Sequence, residues 1–465
     1  MKSPWTFTAL ILSAVWIFYN SIFSGSILYF DALGYEQLGK IIAQGKLTEY
    51  FSQGPNREPL YPIFVALNMR MADLFQIPYL ALLLLTQGLV LLSAQLMMAG
   101  IFRRIGLSDR LAATLLIYFI ISPTVLRSCL IEYSEIVTFP LMLLPCWAAI
   151  CVWQDAKHFM KQYWKQALFL GISFVPIVFV KGIFEMIAPM CIFIFVLALS
   201  LRKSNDRAAY KRILIFAVIA LGVFMAPVNM YKAVNFGLNG NFTFTNRGSW
   251  ALYGTSARRV LPTTLQEDAA QKWYVWPDKD ICVAHVGPQA CAHWFYALSD
   301  QLGMEAYTTL KNQGMSSSMI DHALFRMSIR NVLDHPIKTL KGMFWEGSKL
   351  LFWEYPSWGM VILPRDVRQL YDSRFAYVFF LYVINNLNVL FFLLAVVVAL
   401  RGIPKFFMGV DPALNVLMIS LMMIVLYIAT HSLFFLNERN ALPIVPIFLI
   451  LYGSLFKCIF SERKA

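Results

Sequence analysis

Apolar runs of about 20 residues, the length an α-helix needs to cross the hydrocarbon core of a bilayer, recur along this chain from end to end. Ten such runs lie near residues 8–30, 79–101, 111–127, 136–153, 167–181, 187–201, 213–230, 375–400, 412–432 and 441–458. Lipid offers no hydrogen bonds, so a spanning segment must satisfy its own backbone, and runs of this kind fold as helices. Composition agrees: 59% of the 465 residues are hydrophobic and 14% charged, against about 25% charged in an average soluble domain. The expected fold is an all-α polytopic membrane protein of about 10 transmembrane helices, with interfacial helices and a mixed outer-face segment. The first run, "WTFTALILSAVWIFYNSIFSGSILYF", is longer than a signal-peptide core and lacks a clear small-x-small cleavage site, so it is expected to stay as a span.

Loop charges set the expected orientation. With a cytoplasmic N-terminus, the inside segments are 1–3, 102–110, 153–165, 201–212, 400–411 and 456–465. They hold 17 Lys/Arg against 5 Asp/Glu, while the rest of the chain holds 22 against 21. Short cytoplasmic loops are normally rich in Lys and Arg, so the formal charge of +13 reports orientation and contact with anionic lipid heads. It gives no support for nucleic-acid binding. The expected setting is a bacterial inner (plasma) membrane with both termini cytoplasmic.

Three parts follow from the spacing of the runs. Residues 1–230 form an N-terminal transmembrane module with a first outer loop at 31–78; residues 231–374 form a long outer-face segment; residues 375–465 carry the last spans. The long segment contains Trp250, Trp273, Trp276, Trp294, Trp345, Trp353 and Trp358, an aromatic density that suits a unit resting on the membrane interface. "HPIKTLKGMFWEGSKLLFWEYP", from His335, reads as an amphipathic interfacial helix with Lys338, Lys341 and Lys349 snorkelling. Cys282 and Cys291 fall in the same segment, in a compartment that permits disulfides, and are a candidate bridge. His285 and His293 beside them do not bring four ligands at zinc spacing.

Ionisable residues gather at the outer ends of the spans. Asp31 is the first acidic residue of the chain, at the exit of the first run, with Tyr35 four residues on. "YEQLGKIIAQG" can form a short interfacial helix with Leu38, Ile41 and Ile42 on one face. Arg57 and Glu58 precede Pro59, which places them in extended chain just before a helix that carries Tyr61. Arg127, Glu132 and Glu135, then Lys181 and Glu185, then His431, Glu438 and Arg439 return to the same face. One such charge ordinarily just meets water. Charges at bilayer depth are costly and mark sites, and their repeated return suggests a shared cavity.

This pattern, a cytoplasmic N-terminus, one span, an acidic residue at its outer end, a Tyr and two interfacial helices, resembles the GT-C superfamily of polyprenyl-phosphate-sugar-dependent glycosyltransferases, which includes protein O-mannosyltransferases and aminoarabinose transferases. "REPLYPIF" at Arg57–Phe64 is similar to the Pro-Leu-Tyr element of the family's first outer loop. "LNERNALPIVPIFLILYG" resembles its final-span entry, and "HPIKTLKGMFWEGSKLLFW" the helix before the late spans. The resemblance implies inverting transfer of a sugar from a polyprenyl-phosphate donor to a hydroxyl of a glycan, lipid or protein acceptor at the outer face. Asp31 would be the general base that takes the acceptor's proton. Arg57, Lys181 and Arg439 would be the cations around the departing phosphate, with Glu58, Tyr35, Tyr61, Glu135 and His431 completing the substrate site. The order Arg57-Glu58-Pro59 departs from the family's acid-first order and leaves the roles of that pair open.

No cofactor and no catalytic metal are expected, since the first outer loop lacks an Asp-x-Asp pair; a divalent ion, as in the oligosaccharyltransferase branch, stays an open alternative. The competing functions are a flippase or transporter for a polyprenyl-linked glycan and a non-catalytic GT-C relative. Charges at span ends and the lack of visible inverted repeats weigh against transport. For orientation, single cysteines introduced into 231–374 are expected to react with an impermeant maleimide on intact cells, and cysteines in 102–110 only after permeabilisation. The reverse labelling pattern would overturn the topology.

Overall fold

The apolar runs form helices, and where they do not, a proline, a polar stretch or a strand pairing accounts for it. The computed structural model describes the chain except residues 1–3, 53–56, 155, 203–206, 246, 277–278, 356–357, 410, 435–437 and 463–465. The N-terminal half contains α1 (Pro4–Phe23), α2 (Asp31–Ala43), α3 (Leu47–Ser52), α4 (Leu60–Phe75), α5 (Tyr79–Arg104), α6 (Asp109–Ile121), α7 (Pro123–Leu130), α8 (Glu135–Gln154), α9 (Ala156–Val178), α10 (Phe184–Arg202) and α11 (Arg207–Asn239). The long connecting segment adds α12 (Gly248–Val260), α13 (Leu265–Trp273), α14 (Lys279–Val286), α15 (Pro288–Trp294), α16 (Tyr296–Asn312), α17 (Ser317–Asp334), α18 (Pro336–Ser348) and α19 (Arg365–Tyr371). Then come α20 (Arg374–Val378), a π-helical turn (Phe379–Ile384), α21 (Asn385–Met408), α22 (Pro412–His431) and α23 (Val445–Glu462).

Among the described residues, eight helical stretches are long and apolar enough to cross a membrane: α1, α5, α8, α10, α11, the run Arg374–Met408, α22 and the run Arg439–Phe460. A ninth results if α6 and α7, bent by 60°, are counted as one broken span. The protein is a multi-pass integral membrane protein. Large apolar side chains that face outward, such as Ile11, Val15, Leu214 and Val218, are those that meet lipid. The break between α6 and α7 has a local cause. Pro123 has no N–H to continue the ladder, and Ser122 restarts the helix by accepting a hydrogen bond from the Val125 N–H at 3.2 Å. Buried Glu354 accepts from Tyr118 at 2.7 Å and Thr124 at 3.1 Å, fastening the end of the long segment across this break.

The expected count of about 10 spans is not reached. The expected span at 167–181 falls in α9, whose first half carries Lys157, Lys161 and Lys165; it packs against α8 and α11 but is not among the eight. The expected first span, 8–30, also ends early. Helix α1 stops at Phe23, and Gly25–Ser26 (β1) pairs antiparallel with Val361–Ile362 (β2). An apolar run continues through both conformations, so hydropathy alone overshoots. The mixed character expected of 231–374 is absent too: among the described residues its regular elements are all helices apart from β2.

Aromatic residues of that segment serve mainly as core. Trp294, Trp353 and Trp358 are buried rather than laid on a surface. Helix α18 forms where expected, with Ile337, Leu340 and Phe344 exposed along one side and Thr339, Gly342 and Glu346 buried on the other. Lys349, expected to snorkel, is instead buried over the Tyr274 ring, 3.9 Å from its centroid. Cys282 and Cys291 form a disulfide that closes α14 onto α15.

A buried ionic lock ties the segment to the bundle. Glu346 of α18 lies 2.8 Å from both Arg258 and Arg259 of α12, and Arg259 also donates to the Ser432 carbonyl, just past α22, at 2.5 Å. Arg258 donates further to Ser299 Oγ at 2.7 Å and to the Trp294 carbonyl at 3.2 Å. All three charged side chains are 2% exposed, and removing one member of a buried ion group leaves uncompensated charge at a cost of about 3–5 kcal/mol. Glu346→Ala is therefore expected to lower the thermal unfolding midpoint of the detergent-solubilised protein by many degrees and to open 248–348 to protease. A midpoint close to wild type would show that the lock contributes little.

Candidate active site

Asp31 owes its position to a turn. The Ala32 N–H donates to the Tyr29 carbonyl at 3.1 Å, closing a four-residue turn with Phe30 at φ 47°, ψ −116°. These are the angles of the first central position of a type II′ turn, which glycine adopts freely and phenylalanine does not. Strain of this kind persists only where the surroundings impose it; here the pairing of β1 with β2 comes just before it. The outcome is that Asp31 is the first residue of α2, where the helix macrodipole favours its negative charge.

Four further charges, each from a different part of the chain, complete a row of alternating sign. Arg57, just before α4, pairs with Asp31 Oδ1. Arg439, at the entry to the last span, reaches Asp31 Oδ2 at 2.5 Å and lies 3.2 Å from Glu135 Oε1 at the start of α8. Lys181, between α9 and α10, lies 2.8 Å from that same Glu135 oxygen. The row Arg57–Asp31–Arg439–Glu135–Lys181 carries one net positive charge. Burial works to raise the Asp31 pKa, but Arg439 and Arg57 outweigh it and hold the carboxyl below the usual range. Burial would likewise lower the Lys181 pKa, and Glu135 more than offsets it.

Glu58 takes no part in the row. Its Oε1 accepts the Gly182 N–H at 2.7 Å, so it holds the turn that carries Lys181. The Arg57/Glu58 pair is thereby divided: the arginine touches Asp31 and the glutamate fixes backbone. Tyr35 and Tyr61 are buried behind the row, edge to face with ring centroids 4.7 Å apart. Tyr35 donates to Ser134 Oγ at 3.1 Å and lies under the Arg57 guanidinium, while Tyr61 donates to Gln87 at 2.8 Å.

Much of this borders one cavity of about 1660 Å³. Of the sequence-derived candidates, Asp31, Arg57, Glu58, Arg127, Lys181, Glu185, His431 and Arg439 line it; Tyr35, Tyr61, Glu132 and Glu135 do not. The His431 ring packs on Tyr427, and its buried Nδ1 has no hydrogen-bond partner among the described residues. The Glu438 side chain lies outside the described residues. Apolar side chains including Phe236, Phe242, Ile329 and Phe434 make up much of the remaining lining, so the site is amphipathic: a charged row beside a greasy wall. No protein-family model matches the chain, and no curated protein matches it in sequence.

The cavity also holds charges that the sequence reading did not single out. Lys232 is one, and it pairs at 2.5 Å with Glu185, a span-end acid the sequence had marked. Arg247, just before α12, Asp300 of α16 and Asp321 of α17 form part of the wall contributed by the long segment. Nothing in their local sequence marks them, because they reach the site only through the packing of α12 on α16 and α17. Among the described residues no group of three or more His, Cys, Asp or Glu is arranged to hold a metal ion.

Glu132, another of the span-end acids, sits apart from the cavity. It is fully buried, with Tyr79 Oη 3.3 Å from its Oε2 and 2.9 Å from Glu36 Oε1; Glu36 in turn pairs with Lys40 at 2.9 Å. Burial, then the Glu36 charge, pushes the Glu132 carboxyl up to about 8. An acid whose pKa is raised by folding favours the protonated native state, so the stability it allows falls as pH rises from the ordinary range through about 8. Each unit is worth about 1.4 kcal/mol. Glu132→Gln is expected to match wild type in thermal midpoint near pH 5 and to exceed it by several degrees near pH 9. Equal midpoints across that range would contradict the assignment.

Proposed function

We propose that this protein is an inverting glycosyltransferase of the GT-C type, moving a sugar from a polyprenyl-phosphate donor to a hydroxyl acceptor at the outer face of the membrane. The observation that carries this reading is the row of charges around Asp31 on the wall of a large, half-apolar cavity. An ionised carboxylate is a proton acceptor. Guanidinium and ammonium groups beside it suit a phosphate that gains charge as it departs. An apolar wall suits a lipid chain.

In the reaction, Asp31 takes the proton of the acceptor hydroxyl as its oxygen attacks the anomeric carbon. The bond from that carbon to the phosphate oxygen breaks, and its electron pair leaves with the lipid phosphate. Arg57, Arg439 and Lys181 stabilise that phosphate. Their charges are fixed in place by Asp31, Glu135 and the Glu58-held turn, so little reorganisation is needed as the charge develops.

The test is sugar transfer by the purified protein in detergent, supplied with polyprenyl-phosphate sugars and candidate acceptors. Transfer without two separated compartments supports an enzyme over a flippase. Asp31→Asn is expected to lower kcat by about 10²–10⁴, the usual worth of a general base, while donor binding persists. Arg439→Ala and Arg57→Ala are expected to raise the donor KM and lower kcat together. Full transfer by Asp31→Asn would remove the catalytic assignment.

A further inference from the structure

The two sides of the cavity differ in charge. The bundle side presents Arg57, Lys181 and Arg439, each engaged with a carboxylate. The opposite wall, from the long segment, presents Arg247, Asp300 and Asp321. Asp321 is held by Ser249 at 2.5 Å. Asp300 Oδ1 is buried and, among the described residues, has no hydrogen-bond partner. A buried acceptor left unmade is expensive, and in a native fold it calls for an explanation.

Arg247 and Asp300 line the same cavity, and Arg247 acts on the Asp300 charge, yet no ion pair joins them among the described residues. Arg247 lies instead over the Trp250 ring, 5.8 Å from its centroid. The spacing is built into the backbone. Helices α12 and α16 cross where a Cβ on Gly254 would come within 1.9 Å of the Ser299 carbonyl oxygen, and a Cβ on Gly303 within 2.5 Å of the Trp250 oxygen. Only glycine permits that approach. It seats Asp300, the residue after Ser299, against the wall that begins with Arg247 and Trp250. Asp300 also feels the charge of Asp31, which lines the same cavity.

A donor fork and a carboxylate with an unpaired oxygen in one cavity match vicinal hydroxyls. One hydroxyl donates to the carboxylate, and its neighbour accepts from the guanidinium. A phosphorylated or uronic acid acceptor would be repelled by Asp300 and Asp321. We propose that Arg247 and Asp300 form the acceptor subsite and that the acceptor is a neutral glycan presenting vicinal hydroxyls. This rests on the glycosyltransferase reading for the word acceptor, but the glycan contact stands independently of transfer.

The experiment is binding of the purified full-length protein in detergent to an array of neutral oligosaccharides, phosphorylated and uronic-acid glycans, and serine- and threonine-containing peptides. Neutral glycans are expected to bind. Asp300→Asn and Arg247→Gln are each expected to weaken that binding by at least about tenfold, the scale of one charge-assisted hydrogen bond, with thermal midpoints near wild type. Arg247→Lys, which keeps the charge and loses the fork, should fall between. Asp31→Asn should bind neutral glycans as wild type does while losing transfer, which separates the two proposals. Wild-type binding by both Asp300→Asn and Arg247→Gln, binding confined to acidic glycans or peptides, or no binding on the array would each overturn the subsite.

Discussion

A carboxylate between two guanidiniums organises the site. Asp31 presents one oxygen to Arg57 and the other to Arg439, from opposite ends of the chain. Charges in low-dielectric surroundings are costly singly and tolerable only when each is paired. Arg439 is shared with Glu135, which is shared with Lys181, so deleting any member strands the next. The surrounding detail serves this row: the turn at Phe30 that delivers Asp31, the Tyr35 ring under Arg57, and the Glu58 contact that fixes the Lys181 turn. The convergence of α2, α8, the segment before α4, the 179–183 link and the last-span entry is thus an electrostatic requirement as much as a packing one.

The same clamp bears on the proposed chemistry. A base held below the ordinary carboxylate range is fully ionised at neutral pH but binds a proton weakly. In the proposed reaction the donor phosphate competes for the two arginines that cause this. As they turn toward phosphate, they stabilise the leaving group and release Asp31 to a higher basicity. Base strength would then rise only when donor is present.

Sequence and structure agree where the governing force is local or additive. Apolar length marks spans because the bilayer sets a length, so α5, α8, α10 and α22 fall within a few residues of expectation. Asp31 was legible because an acidic residue at a span exit is costly enough to need a reason. Where one physical signal fits two conformations, the reading failed: the run 8–30 is equally apolar in α1 and in β1, and α9 joins an apolar half to a lysine-rich one. Arg247 and Asp300 were illegible for another reason. Their meaning comes from helix crossing at Gly254 and Gly303, contacts between residues about fifty apart with no periodicity to betray them. Tyr35 and Tyr61 illustrate the converse, aromatic residues near a site that support it from behind without lining the cavity.

The lock between Arg258, Arg259, Glu346 and Ser432 connects these observations. It binds α12, which follows Arg247, to the residue just past α22, and Arg439 lies seven positions beyond Ser432. The two walls of the cavity are therefore not independent surfaces that happen to face each other. The wall with Arg247 and Asp300 and the stretch that carries Arg439 share one buried anchor. A buried ion group with one cation in excess is a poor way to gain stability, since apolar packing of equal volume does as well or better. Its directional bonds to Ser299, Trp294 and Ser432 do what apolar packing cannot: they fix α12, α16, α18 and α22 in register. In the proposed reaction that register sets the distance between the carboxylate taking the proton and the subsite presenting the hydroxyl, which is the one distance the chemistry cannot leave loose.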